Sequence, residues 1–196
     1  QTARVGGSAG VVNRPNEGTA AIRKTDEDGQ ALAGVLFGLN ETESGKQIAQ
    51  VRTGADGTAK IEGIAAGKSC FFRELQPAHE DYQKNERDYP VQIVAGQTAW
   101  ANRGQPVVNE WKRGALRIYK TDGRTGQPLS GVRFGIFTDA AATKQCGEVV
   151  TDANGEAIFG MENGNFVLRC RQLLYVKELA PKDATWVVSE TVYPVQ

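Results

Sequence analysis

The sequence predicts an all-β protein built from two tandem sandwich domains. Three observations carry this. An internal repeat spans nearly the whole chain, its apolar residues fall in short runs rich in Val, Ile, Phe and Thr, and turn signals such as GADG, TDANG and AGQ cut those runs. Strands spaced about ten residues apart are the pattern of a sandwich. Continuous helical periodicity is missing, apart from one short turn at residues 77–83.

Composition narrows the class further. The chain has 196 residues, 40% hydrophobic and 23% charged, enough for one or two domains that each bury a core. Lys+Arg and Asp+Glu balance at 23 each, and no basic cluster stands out, which argues against a dedicated nucleic-acid binder. No apolar run is long enough for a transmembrane helix. One histidine and three cysteines without CxxC spacing leave no metal site or catalytic triad to assemble, so neither metal nor cofactor is expected. His79 lies in the polar run PAHEDYQKNERD and reads as a solvated loop residue.

The repeat defines the domains. Ile22 to Gly38 (IRKTDEDGQALAGVLFG) matches Ile118 to Gly135 (IYKTDGRTGQPLSGVRFG), which aligns Lys24 with Lys120. RELQP and KELAP place Glu74 opposite Glu178, and YPVQ recurs at Tyr89 to Gln92 and Tyr193 to Gln196. The second copy carries eight extra residues between its lysine and its glutamate. The expected organisation is a strand at 1–13, a linker at 14–18, a first domain at 19–109, a linker at 110–114 and a second domain at 115–196.

Taken in order, the elements show where their polar residues point. In AAIRK, Ala20, Ile22 and Lys24 share one face of a strand, because side chains alternate across the sheet. Asp56-Gly57 reads as a two-residue hairpin turn. In CFFREL, Cys70, Phe72 and Glu74 share a face, and in PVVN, Val107 and Asn109 do. The second copy repeats this with Leu116, Ile118 and Lys120 in LRIYK, a turn at Asn154-Gly155, and Leu174, Val176 and Glu178 in LYVKEL. Each domain therefore aims a lysine and a glutamate into its core. Unpaired buried charges are too costly to be incidental, and the alternative to a snorkelling ion pair is amide formation between lysine and asparagine. Burial favours a neutral amine beside a protonated carboxyl that polarises the carboxamide and carries its proton. Asp26 and Asp122, after each KT pair, read as turn residues.

At these residues the chain resembles the Cna B-type, isopeptide-forming domains of Gram-positive pilins and surface adhesins. The motif is KTD, then GQxLxGVxF, then a glutamate before a proline, then a strand ending in VVN. The resemblance covers nearly the whole chain in two copies. It implies seven-stranded immunoglobulin-like sandwiches in which a first-strand lysine bonds to a last-strand asparagine, with a glutamate as proton shuttle. Carried over residue by residue, this gives Lys24, Glu74 and Asn109 in the first domain, and Lys120 with Glu178 in the second. The family's spacing from glutamate to proline is one residue shorter here, at Glu74 to Pro77 and Glu178 to Pro181.

The second copy ends at Gln196 before any such asparagine strand. Residues 1–13 (QTARVGGSAGVVN) align without a gap to residues 97–109 (QTAWANRGQPVVN), with six of 13 positions identical. Asn13 thus stands at a last-strand position. Two arrangements fit: donation of this strand to the second domain of another copy, linking Asn13 to Lys120 between chains, or a piece of a longer tandem-repeat adhesin. The expected function is an extracellular fibre or pilus subunit, secreted or held at the cell surface, not an enzyme, with other copies of itself as partners in a head-to-tail filament. The alternative is a stalk or ligand-binding fragment, with residues 82–89 as a contact surface. Cys146 and Cys170 flank the expanded segment and are expected to form a disulfide, leaving Cys70 as a buried thiol. Trp100, Trp111 and Trp186 are too dispersed for a sugar platform and are assigned to packing.

Overall fold

The computed structural model describes residues 16–196, which divide into two units, the first ending at Glu110 and the second running from Trp111 to Gln196. The first unit is organised around β1 (Glu17–Asp26), whose Ala20, Ile22 and Lys24 are all buried on one face. The unit continues with β2 (Leu36–Glu41), β3 (Gln47–Arg52), β4 (Thr58–Ala65), β5 (Ser69–Gln76), β6 (Asp88–Gln92), β7 (Thr98–Trp100) and β8 (Val107–Asn109). One sheet has the order β4-β1-β7, with β8 also pairing β1, and the other has the order β3-β2-β5-β6. Between them lie Ile22, Phe37, Leu39, Phe72 and Val107, with the Phe37 and Phe72 rings in edge contact at 6.0 Å.

β1 runs antiparallel to β4 but parallel to β7 and β8, so first and last strands lie side by side. The last strand is interrupted between β7 and β8, where Asn102, Arg103 and Gly104 all have positive φ. Two of these are not glycine, a conformation with a steric cost.

The second unit contains β9 (Arg113–Gly114), β10 (Leu116–Tyr119), β11 (Arg133–Phe137), β12 (Gln145–Val150), β13 (Glu156–Phe159), β14 (Met161–Glu162), β15 (Asn165–Phe166), β16 (Leu168–Arg169), β17 (Leu174–Ala180) and β18 (Val192–Val195). Its sheet β12-β11-β17-β18 reproduces β3-β2-β5-β6. β10 and β13 stand for β1 and β4, but among the described strands β10 pairs only with β13. The core gathers Leu116, Val132, Phe134, Ile136, Leu174 and Val176, with Trp186 packed against it. Two small ribbons, β14 with β15 and β16 with β9, complete the described strands of this unit.

Several expectations are corrected. The turns at Asp56-Gly57 and Asn154-Gly155 do not close hairpins: β3 and β12 pair β2 and β11, whereas β4 and β13 pair β1 and β10, so these turns cross between sheets. The segment expected as a linker at 110–114 includes β9, and the one at 14–18 overlaps the start of β1. The Cys146–Cys170 disulfide is not formed, and all three cysteines are free thiols. Cys146 lies on β12, whereas Cys170 is a turn residue directly after β16 whose amide donates to the Lys112 carbonyl at 2.9 Å.

The sheet-crossing turns explain their glycines. Gly57 has φ of 72° and its carbonyl accepts the Lys24 amide at 2.8 Å, while a Cβ there would stand 2.3 Å from the Lys24 carbonyl oxygen. Gly155 repeats this against Lys120, with φ of 70° and a clash at 2.4 Å. Gly57→Ala should therefore destabilise the first unit by about 1 to 3 kcal/mol, read as a lower urea midpoint. An unchanged midpoint would show that the turn relaxes without strain.

Candidate functional site

The site of the first unit begins with the backbone of Lys24. Its amide donates to Gly57 and its carbonyl accepts from the Leu32 amide at 3.0 Å, so the residue is held on both sides. The segment carrying Leu32 is fastened by the buried Thr53, whose hydroxyl donates to the Leu32 carbonyl at 2.6 Å and accepts from the Val35 amide at 3.0 Å. With the main chain fixed, alternation turns the lysine side chain inward among apolar neighbours.

Glu74 approaches from the opposite sheet. In the β2–β5 pairing Leu36 faces Gln76 and Phe37 faces Glu74, so a bulge falls between these pairs. The second unit has the same irregularity, with Arg133 facing Ala180 and Phe134 facing Glu178. Asn109 comes from β8. Lys24 is paired with Val107, and Asp26 with Asn109, so lysine and asparagine share the inward face of two adjacent parallel strands.

These three side chains meet in the core. Lys24 is 1% exposed, Glu74 0% and Asn109 1%. Asn109 Nδ2 donates to Glu74 Oε1 at 2.8 Å, and Lys24 Nζ donates to the Val107 carbonyl at 2.9 Å while standing 3.9 Å from Glu74 Oε2. Burial pushes the Lys24 amine down to about 8, against the opposing pull of Glu74 and Asp26. Burial likewise pushes the Glu74 carboxyl up, although the Asn109 hydrogen bond and the Lys24 charge oppose it. Both shifts favour the uncharged forms.

Glu74 Oε2 and Asn109 Oδ1 are buried acceptors without a hydrogen-bond partner. A proton on Glu74 Oε1, with the carboxamide turned over about its last torsion, gives the Asn109 oxygen a donor, while Glu74 Oε2 stays without one. A neutral amine, a carboxamide and an acid that polarises it are the components of acyl transfer from asparagine to lysine.

The second unit brings together Lys120 and Glu178, with Nζ 3.0 Å from Oε2. Glu178 is buried, but 27% of the lysine side chain is exposed, towards a groove of about 290 Å³ beside β10. Asn13 lies outside the described residues. Thr151 and Gly155 repeat the roles of Thr53 and Gly57, with Thr151 Oγ1 donating to the Leu129 carbonyl at 2.7 Å and the Lys120 amide donating to Gly155 at 2.8 Å. These positioning residues escaped the sequence reading, although Thr-x-Ala-Asp/Asn-Gly occurs at both turns.

The remaining residues have local roles. The Asp26 carboxylate accepts the Asp28 and Gln30 amides, and that of Asp122 accepts the Arg124 amide, as turn residues do. Cys70 is buried, and burial pushes its thiol up. His79 pairs with Asp81 at 2.8 Å. Trp100 stacks beneath the Arg23 guanidinium at 4.5 Å. Among the described residues no cluster of acidic, histidine or cysteine side chains has a metal-binding arrangement, and no helix is long and apolar enough to cross a membrane.

Two sandwiches with this paired geometry define a class of tandem β-domains. In fold the chain is similar to the TIE protein of Bacillus anthracis, at 23% identity and a TM-score of 0.64, over 92% of this chain and 31% of that one. Weaker overall superpositions are found with a streptococcal ancillary pilin (21% identity, TM-score 0.44, 94% of this chain and 60% of that one). The C-terminal fragment of the pilus adhesin SpaC from Lactobacillus rhamnosus GG is a third (14%, 0.41, 85% and 76%). The chain therefore spans less than a third of the first of these proteins. A sequence search among curated proteins gave no match. The family model of the SpaA prealbumin-like fold domain matches residues 18–103 and 114–171, and the chain belongs to that family, with one match in each unit.

The positioning role of Thr53 is open to test. Thr53→Val keeps the shape and removes the hydroxyl, leaving the Leu32 carbonyl and Val35 amide unpaired in the interior. A loss of about 1 to 3 kcal/mol is expected in chemical denaturation. Stability within error of the parent would remove the residue from the site's framework.

Proposed function

We propose that the chain is a structural module of an extracellular fibre or pilus at a cell surface, stiffened by self-made amide bonds between lysine and asparagine. The observation that carries this is the buried convergence of Lys24, Glu74 and Asn109 on the first and last strands. The neutral Lys24 amine attacks Asn109 Cγ, Glu74 donates a proton to the carboxamide oxygen and then relays protons from the attacking nitrogen to the leaving one. One ammonia departs and one amide remains, with Glu74 restored. The reaction occurs once per site, so the chain acts on itself and is not an enzyme with turnover.

The product is suited to load. It joins adjacent first and last strands, so tension passes through a covalent bond and not through the sheets. It also closes a loop of 85 residues, which in the chain-entropy treatment of cross-links contributes about 4 to 5 kcal/mol.

Assembly follows from the displaced strand. Residues 1–13 of one copy supply the last strand of the second unit in the next copy, Asn13 bonds to Lys120 beside Glu178, and head-to-tail repetition gives a filament. A second reading has an observation of its own: the likeness of residues 1–13 to 97–109 is also the pattern of a stalk segment within a longer tandem-repeat adhesin.

Intact mass tests the chemistry. Folded protein should be lighter by one ammonia for each bond, and peptide mapping should recover Lys24 joined to Asn109. Unmodified Lys24 and Asn109 peptides would refute the reading. Glu74→Gln should fold without forming the bond.

The pH dependence has a definite sign. Below about pH 8 the Lys24 amine gains a proton and loses its nucleophilic pair, so bond formation after refolding should slow as pH falls. Loss of the proton from Glu74, whose carboxyl burial pushes up, should oppose this as pH rises, giving a bell. On a boiled, reducing gel the native chain should run as a ladder, and Asn13→Ala should abolish it.

A further inference from the structure

The strand that carries Asn109 is short, and among the described strands only β1 pairs it. Alternate carbonyls of an extended chain point to opposite edges. The Val107 carbonyl accepts the Lys24 amine at 2.9 Å. The carbonyls of Val108 and Glu110, on either side of Asn109, are both taken by the irregular segment 83–87 between β5 and β6. The Gln83 amide donates to Glu110 at 2.8 Å, and Asn85 Nδ2 donates to Val108 at 3.0 Å. With 83 facing 110 and 85 facing 108, the segment runs as an antiparallel edge beside β8. At its second rung a side-chain amide replaces the main-chain one.

That replacement leaves the Asn85 main chain to the site. Burial pushes the Glu74 carboxyl up, and the Asn85 main-chain amide is among the groups that oppose this, after the Asn109 hydrogen bond and the Lys24 charge. The side chain itself is fixed twice, because a carboxamide both donates and accepts. Its Oδ1 accepts the Arg87 amide at 3.1 Å. The segment is anchored just before this by the buried Tyr82, whose amide donates to the His79 carbonyl at 3.2 Å.

The turn recurs in the second unit. Ser189 follows Glu178 at the spacing by which Asn85 follows Glu74, and its hydroxyl accepts the Thr191 amide at 3.4 Å. Trp186 stands where Tyr82 does, packed against the core, with its amide on the Asp183 carbonyl at 3.3 Å. The framework is common to both copies, but only the first carries a carboxamide at this position.

We propose that Asn85 is a positioning residue for amide formation between Lys24 and Asn109. Its side chain ties the outer edge of the asparagine strand to the segment that passes Glu74, so that acid and carboxamide keep one register. The inference rests on the chemistry of the preceding section and adds no reacting group to it. The bond made, the ammonia lost and the proton relay through Glu74 are unchanged. What Asn85 contributes is alignment. A three-residue strand held along one edge is free to tilt, and a displacement of about 1 Å at the reacting atoms costs about 100-fold in rate.

The test separates folding from reaction. Full chain recovered unreacted from inclusion bodies in urea is refolded at about pH 5, where the Lys24 amine is protonated, then brought to about pH 8. Circular dichroism gives the folded fraction before the jump, and intact mass follows the loss of one ammonia after it. Asn85→Ala should slow bond formation per folded molecule about 10-fold or more. Asn85→Asp keeps the shape and the acceptor for Arg87 but loses the donor to Val108. Asn85→Ser, the residue of the second unit, keeps the Arg87 turn on a side chain one bond too short to reach Val108. Both should fold like the parent and react as slowly as Asn85→Ala.

A parental rate in the folded Asp and Ser variants would overturn the inference. So would slow variants whose rate per folded molecule is unchanged, because Asn85 would then serve stability alone. In either case a parent chain that forms the Lys24–Asn109 bond leaves the chemistry standing. A parent that folds and forms no bond removes the chemistry and the positioning role together.

Discussion

The structure depends on one constraint: a lysine and a glutamate are buried inside a small β-sandwich. Removing such groups from water costs several kcal/mol per ion unless they are paired, neutralised or bonded. In the first unit Lys24 and Glu74 stand too far apart for a tight ion pair, and burial drives each towards its neutral form. The same displacement makes a nucleophile and an acid available together. Conversion of the amine and the carboxamide into one amide would remove the buried charge that makes the arrangement costly.

The scaffold that tolerates this is local and repeated. Gly57 and Gly155 let a sheet-crossing turn approach the lysine main chain, Thr53 and Thr151 hold the loop that flanks it, and a bulge at each glutamate recurs in both units. None of these elements belongs to the last strand. In the second unit, where β10 pairs only with β13 among the described strands, the lysine and glutamate differ from those of the first in their mutual distance and exposure.

Strand order connects the chemistry to mechanics. Because β8 lies parallel to β1, Lys24 and Asn109 come from opposite ends of the unit's sequence yet project from adjacent strands. An amide between them would carry tension past the hydrogen-bonded sheets, whose own resistance would otherwise set the strength of the module. This is the physical case for a load-bearing role, and it rests on topology more than on any single contact.

Much of this was legible in the sequence because strands alternate strictly. Ala20, Ile22 and Lys24, then Cys70, Phe72 and Glu74, then Val107 and Asn109 had to share faces once they were strands, and the repeat carries the lysine and glutamate faces a second time. What periodicity cannot encode is which sheet a strand joins. Asp56-Gly57 and Asn154-Gly155 look locally like hairpin turns, yet partners distant in sequence decide that they cross between sheets and press against Lys24 and Lys120. Cysteine spacing equally says nothing of separation in space, and Cys146 on β12 and Cys170 in the turn after β16 are both free thiols. The side-chain types and their inward direction were local properties, set by the alternation of the chain. The distances within each site, 3.9 Å between Lys24 and Glu74 against 3.0 Å between Lys120 and Glu178, were decided by tertiary structure, because they depend on how strands distant in sequence pack around the two side chains.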